Sequence, residues 1–225
     1  MFGRQAPTSK RGGPPADGFD FTYHMRRLCE DLTSRLPELA HIDMERVAVG
    51  FSQTRKPGPY GTHASLTPMR FAGGELVEWR RGRWYTVQRL FHHETRIELL
   101  YILNFYLPRF MDTPFHDKLV TVLHELWHIS PRFDGDLRRH EGRCYAHTGS
   151  QKNYDAHMAR LADRWLELNP PTSVYAFLKY DFRDLRRIYG CVYGTKSVRP
   201  KLLPISEQQA QEIRATQLTD LRSDP

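Results

Sequence analysis

The sequence has few cysteines and no long apolar run. Its 225 residues include three cysteines, an odd number that lie far apart, at Cys29, Cys144 and Cys191. A disulfide framework and a zinc ribbon built from CxxC pairs are therefore excluded. No apolar run approaches the roughly 18 residues that cross a bilayer, and residues 1–17 carry Gly and Pro where a signal peptide would be apolar. We expect a cytoplasmic protein that does not bind a membrane.

The composition is that of a globular protein. Hydrophobic residues make up 40% of the chain and charged residues 26%, a balance typical of folded soluble domains. The length suits one domain with a substantial core. The formal net charge is +7, which favours an acidic partner such as nucleic acid, although solubility alone also explains such an excess.

The chain divides into four segments by composition. Residues 1–18 are rich in Gly and Pro and are expected to be a disordered leader. Residues 19–170 are expected to form one α+β domain with an N-terminal helix, a small and mostly antiparallel sheet, and two further helices. Residues 171–205 form a basic, aromatic extension that we expect to pack on this domain, and residues 206–225 form a polar helical tail.

The first helix is predicted from the spacing of apolar residues. From Phe19 to about Leu39 they recur every three or four positions, the period of an amphipathic helix, and Pro37 ends or kinks it. The periodic positions are Phe21, Met25, Leu28, Leu32 and Leu36.

A β region is predicted after this helix. Val47, Val49 and Phe51 alternate with smaller residues, a half-buried pattern. The stretch from Ala64 to Phe71 carries Pro68, which suits an edge strand or a bulge. The third stretch, from Arg83 to Phe91, has Tyr85 and Val87 as its best core candidates, and the fourth, from Glu98 to Phe105, is apolar enough to be a central strand or a buried helix.

Two helices close the predicted domain. The first has Thr113 as N-cap and Pro114 in its first turn, and it runs to about Ile129 before Pro131 stops it. The second is capped by Ser150. Its apolar positions are Tyr154, Met158, Leu161, Trp165 and Leu168.

The first of these helices carries a motif typical of zinc hydrolases. Two histidines four residues apart share one face of a helix, so that both imidazoles can bind one metal ion. At about 100° per residue from Phe115, His124 and His128 fall near 180° and 220°, opposite the apolar stripe. Glu125 borders that face and is placed to take a proton from a metal-activated water. The motif is His124-Glu125-Leu126-Trp127-His128.

A catalytic zinc takes three protein ligands, so a third ligand must lie elsewhere. Four residues are candidates: Asp134, His140, His147 and Glu167. His147 is favoured, because a compact Thr148-Gly149 turn ahead of the second helix can present it to the metal. Asp134 lies six residues after His128, His140 lies in an arginine-rich loop, and Glu167 lies near the end of the second helix.

These residues resemble a known family. The segments that carry the likeness are His124 to Ile129, then Ser130-Pro131-Arg132-Phe133-Asp134-Gly135-Asp136, and His147-Thr148-Gly149-Ser150 ahead of Tyr154-Asp155-Ala156-His157-Met158. They are similar to phage-associated and bacterial metallopeptidases related to the SprT-like zinc proteases. The resemblance implies a minimal zincin-like fold, zinc bound by His124, His128 and His147, and Glu125 as the base. Thr148 stands between the His and the Gly that are adjacent in the family.

The resulting hypothesis is a zinc-dependent metallopeptidase that hydrolyses peptide bonds with a zinc-activated water and Glu125 as general base. One alternative is a nucleic-acid-associated SprT-like protein, either a protease of DNA-bound proteins or a binding module. Its basic and aromatic residues are Arg183, Arg186, Arg187, Lys196, Arg199 and Lys201, with Tyr180, Phe182, Tyr189 and Tyr193. A third alternative is an inactive zincin-fold protein with a structural or regulatory role.

Overall fold

The computed structural model of the chain describes residues 18–54, 61–139, 151–196 and 199–223, without the side chains at 151–154 and 218–223. The predicted leader lies outside these residues except for Gly18. The α+β class is confirmed. Across the described ranges there is no helix with the length and apolar character needed to cross a membrane.

The described residues form six α-helices and ten short strands. The helices are α1 (Phe21–Arg35), α2 (Phe115–Trp127), α3 (Gln151–Glu167), α4 (Thr172–Tyr175), α5 (Phe182–Tyr189) and α6 (Glu207–Ser223). The strands are β1 (Phe19–Asp20), β2 (Val47–Gln53), β3 (Ala64–Pro68), β4 (Val77–Arg80), β5 (Arg83–Val87), β6 (Leu90–Phe91), β7 (Glu98–Leu99), β8 (Tyr101–Leu107), β9 (Val192–Tyr193) and β10 (Leu202–Ile205).

A mixed three-stranded sheet lies at the centre of the fold. Its order is β2-β8-β3, with β2 parallel and β3 antiparallel to β8. The apolar stretch that sequence left open between strand and helix is therefore the central strand β8, and the stretch containing Pro68 is the edge strand β3. Antiparallel pairing predominates, as predicted, but it is distributed over several small sheets, among them β10-β5-β4.

Helix α1 forms as its periodicity predicts. Asp20 caps it by accepting a hydrogen bond from the Tyr23 backbone N–H at 3.0 Å, and the helix ends at Arg35, before Pro37. All five periodic apolar residues are fully buried, and they pack in one core with β8 and α2.

Helix α2 buries the predicted stripe, but its start differs from the prediction. Leu119, Val122 and Leu126 are fully buried, and so is Ile129 just beyond the last turn. The N-cap is Pro114 rather than Thr113. Thr113 was wrong as the cap because its hydroxyl donates backwards to the Phe110 carbonyl oxygen at 2.8 Å.

Helix α3 packs along α2 through Met158, Leu161 and Trp165, all of which are buried. Leu168, predicted on the same stripe, is 46% exposed, because the helix ends at Glu167 and the stripe ends with it. The predicted cap Ser150 and the side chain of Tyr154 lie outside the described residues.

The C-terminal segments contact the domain at several places. Lys118 of α2, only 2% exposed, donates through Nζ to the carbonyl oxygens of Leu178 at 2.9 Å and Tyr180 at 2.8 Å. Strand β9 pairs with β1, and β10 pairs with β5. The tail helix α6 contacts β4 and β5, where Ala210 is buried.

The prediction that Tyr85 and Val87 are core residues was wrong, since both side chains are only half-buried. Side chains alternate between the two faces of a strand, so these residues lie on the face opposite Trp84. Helix α6 covers the Trp84 face, with the Arg214 guanidinium 4.5 Å from the Trp84 ring centroid.

Candidate metal centre

Helix α2 brings the two histidines of the motif together. Their ring centroids lie 4.6 Å apart, and the ring planes are inclined by 81°. Trp127 is the last residue of the helix, but His128 keeps helical backbone angles, φ −68° and ψ −16°. The spacing of one helical turn is therefore preserved, and both rings lie half-buried on the same face.

Different elements flank the two sides of this histidine face. On one side α3 packs against α2, with the rings of Trp127 and His157 4.8 Å apart and His116 Nε2 2.9 Å from an Asp163 carboxylate oxygen. On the other side Glu125 points towards β3. Because the core stripe lies on the opposite face of α2, the histidines lie between α3 and β3.

Glu125 is buried between α2 and the edge strand β3, with 9% of its surface exposed. Burial raises the pKa of Glu125 to about 7, and a hydrogen bond from the Leu66 backbone partly opposes this by favouring the carboxylate. A buried carboxyl group with a raised pKa, next to two histidines, can act as a proton acceptor in catalysis.

The register of β3 explains why Leu66 is available to Glu125. Met69 donates its backbone N–H to Leu100 O at 3.0 Å, and His63 O accepts from the Tyr106 N–H at 2.8 Å. Backbone groups alternate in direction along an antiparallel strand, so those of Leu66 point away from β8. The outer edge of β3 therefore faces the motif helix.

A loop from 130 to 139 folds back on the end of α2. Arg138 donates its backbone N–H to the His128 carbonyl oxygen at 2.7 Å and its Nε to the Trp127 carbonyl oxygen at 2.7 Å. The Arg138 guanidinium also lies 4.1 Å from the Trp127 ring centroid. These contacts hold the turn that carries His128.

Two buried side chains organise this loop. The Tyr101 hydroxyl accepts from the Gly135 N–H at 3.0 Å and donates to the Asp136 carbonyl oxygen at 2.8 Å. The Asp136 carboxylate accepts from the Gly73 N–H at 2.8 Å and pairs with Arg139 at 2.6 Å. Burial alone would raise the pKa of Asp136, but these hydrogen bonds hold it below its usual value.

The sequence motifs do not indicate Tyr101, because a tyrosine in an apolar strand carries no signal of a polar role.

We expect Tyr101→Phe to lower the free energy of unfolding by about 1–3 kcal/mol, because the Gly135 N–H and the Asp136 carbonyl lose their partner in the interior. Urea unfolding measures this change. The control is Tyr106→Phe on the same strand, whose hydroxyl lies 3.4 Å from Ser65 Oγ at a half-buried position. Equal losses in the two variants would contradict the role of Tyr101.

The structure places two of the third-ligand candidates away from the histidine pair. Asp134 lies in the loop, where one carboxylate oxygen accepts from the Asp136 N–H at 3.2 Å and the other pairs with Arg132 at 3.0 Å. Glu167 is exposed at the end of α3. In the described parts of the chain, no three His, Cys, Asp or Glu side chains form a group that could hold a metal. His140 and His147 lie outside the described residues.

The described side chains of the motif are of the types that bind a catalytic zinc ion. Imidazole nitrogen is a preferred zinc donor, and a catalytic site needs three ligands and an acid–base group beside them. His124 and His128 could hold a zinc ion as two of these ligands, and Glu125 could serve as the acid–base group. Comparison with protein-family models, with curated proteins and with solved structures found no match to this chain.

Proposed function

We propose that this chain is a zinc-dependent metallopeptidase with a zincin-like fold. His124, His128 and His147 bind the zinc, and Glu125 is the general base. The observation that carries the proposal is the pairing of the two imidazoles, with ring centroids 4.6 Å apart, beside the buried carboxyl group of Glu125. The likeness of residues 124–158 to SprT-like proteases supports the same assignment.

Zinc, when bound, supplies Lewis acidity to the attacking water and to the scissile carbonyl. Glu125 orients that water and accepts its proton, and it then returns the proton to the nitrogen of the leaving amine. Its position is held from two sides, by α2 itself and by the Leu66 backbone. The loop contacts from Arg138 hold the turn that carries His128.

The edge strand β3 supports a peptide substrate rather than a small molecule. Within the described residues, no strand pairs with its outer edge, which faces Glu125. An extended peptide can add to such an edge by main-chain hydrogen bonds. The outward carbonyl groups of Ala64 and Leu66 would align the substrate backbone beside the histidine pair.

The zinc content of purified variants tests the ligand set. We expect one zinc per chain in the wild type and in His140→Ala, and less than about one tenth of that in His147→Ala, because loss of one of three ligands weakens zinc binding strongly. Mass-spectrometric metal measurement after dialysis gives the ratio, and cleavage of unfolded protein should follow zinc content. Loss of zinc only in His140→Ala would contradict the assignment of His147.

A further inference from the structure

A short hairpin carries an unusual concentration of tryptophan and arginine. Strands β4 and β5 join through Arg81 and Gly82, whose φ angles are +48° and +80°. Two consecutive positive φ values are typical of the tight type I′ turn. Nothing lies within 4 Å of the position that a Gly82 side chain would take, so the tip extends into solvent. We call residues 77–87 the tryptophan hairpin.

The hairpin exposes one of its two tryptophan rings. Trp79 and Trp84 pair directly across the two strands, with ring centroids 5.4 Å apart and planes inclined by 66°. The Arg214 guanidinium lies over Trp84, while Trp79 remains 57% exposed. A single exposed apolar side chain is common on protein surfaces, but this indole packs against a second indole and lies close to exposed arginines.

The charge of the hairpin is strongly positive. Arg80, Arg81 and Arg83 are all exposed, and Arg80 lies directly opposite Arg83 in the strand register. Like charges in that position destabilise a strand pair. The one carboxylate within the hairpin, Glu78, pairs with Arg80. No described residue forms a hydrogen bond or ion pair with the side chain of Arg81 or Arg83. Among the described residues, Arg81 and Arg83 therefore have no carboxylate partner, an arrangement that suits an anionic ligand.

We propose that the tryptophan hairpin binds single-stranded nucleic acid. Unpaired bases expose their faces and can stack on Trp79, while one neighbouring phosphate pairs with Arg81 in the turn. Arg83 lies on the opposite face of the hairpin, where it can pair with a further phosphate as the strand passes around the tip. In a duplex the bases are stacked on one another, so Trp79 has no base face to contact. A purely acidic chain such as polyglutamate would pair with the arginines but has no flat group that stacks on the exposed indole. The surface lies outside the basic segment 183–201 that the sequence indicated.

Binding of the full chain to three labelled ligands tests the proposal. They are an oligothymidylate of about twenty nucleotides, an abasic oligomer with the same number of phosphates, and a duplex of the same length. Fluorescence anisotropy at several salt concentrations measures the affinities. The wild type should bind the oligothymidylate at least about fivefold more tightly than the abasic oligomer or the duplex, because only unpaired bases stack on Trp79.

Variants of the hairpin distinguish the contribution of base stacking to the affinity from the contribution of charge. Trp79→Ala should weaken oligothymidylate binding at least about fivefold and leave abasic binding unchanged, and Trp79→Phe should restore most of the loss. The double variant Arg81→Glu/Arg83→Glu should weaken binding of both single strands and lower the salt slope by about 1.4, the value for two phosphate contacts. Circular dichroism and zinc content should be unchanged, since these side chains are exposed.

The matched control is Arg183→Glu/Arg187→Glu on α5, which makes the same change in net charge at exposed positions. It should change oligothymidylate affinity by about twofold at most, through long-range charge alone. The proposal is overturned if this control abolishes binding while the hairpin variants bind normally. It is also overturned if Trp79→Ala has no effect, or if the chain binds polyglutamate but not the oligothymidylate.

Discussion

Replacing Glu125 by glutamine is expected to lower kcat/KM for the cleavage of unfolded protein by about 10²–10⁴-fold, the usual contribution of a positioned general base. Glutamine has nearly the same shape, and its amide oxygen can still accept the hydrogen bond from the Leu66 backbone. It cannot take a proton from water. Zinc content should stay the same, because all three proposed ligand histidines remain. Cleavage is measured on a broad panel of unfolded and crosslinked proteins.

A suitable control is Glu167→Gln, the same chemical change at an exposed position at the end of α3. It should leave both kcat/KM and zinc content unchanged. If zinc-loaded wild type and Glu125→Gln show the same activity over the whole panel, the chain is not a peptidase of the proposed kind. Bound zinc without turnover would favour the structural or regulatory alternative.

The contribution of Glu125 to the stability of the metal-free protein should decrease as pH rises from about 4.5 to about 7. The pKa of Glu125 is raised in the fold to about 7 from an ordinary value of 4.5, so the folded state binds more protons than the unfolded state in this window. The stabilising contribution of the protonated carboxyl is complete below pH 4.5 and is lost through pH 7. This rise in the pKa of Glu125 corresponds to a change of about 3–4 kcal/mol in the free energy of unfolding.

The difference between wild type and Glu125→Gln isolates this effect, because all other titrating groups are shared. Urea unfolding of both proteins in chelator at pH 4.5 and pH 8 measures it. Glu125→Gln should gain stability relative to the wild type as pH rises, and the change in their difference should be about 3 kcal/mol. A difference that does not vary with pH would mean that Glu125 is solvated in the metal-free chain.

Much of the fold can be predicted from the sequence because local periodicity determines which faces are apolar. The stripes of α1 and α2, the alternation in β2 and the edge position of β3 all follow from this rule. The wrong predictions concern residues whose conformation or burial depends on contacts with segments distant in sequence. Thr113 bonds backwards to Phe110 and does not cap α2, and Tyr85 and Val87 face away from α6, whose position no local pattern reveals.

The candidate site likewise contains residues whose positions follow from local sequence and residues whose positions do not. The positions of His124 and His128 follow from spacing on one helix, so the sequence sufficed to predict that they meet. The burial of Glu125 depends on the register of β3 against β8, and the loop beside His128 depends on Tyr101, which lies more than twenty residues earlier. Contacts between segments far apart in sequence leave no local pattern. The assignment of His147 stays a prediction.

An anomalous difference map collected at the zinc absorption edge, on crystals grown with zinc, tests the central claim most directly. The account predicts one strong peak per chain, at about 2.0–2.1 Å from a ring nitrogen of both His124 and His128, with His147 as the third protein ligand. The Glu125 carboxylate should lie beside the peak without being a ligand. A peak at any other group of side chains, or no peak at the histidine pair, would contradict a zinc centre on α2.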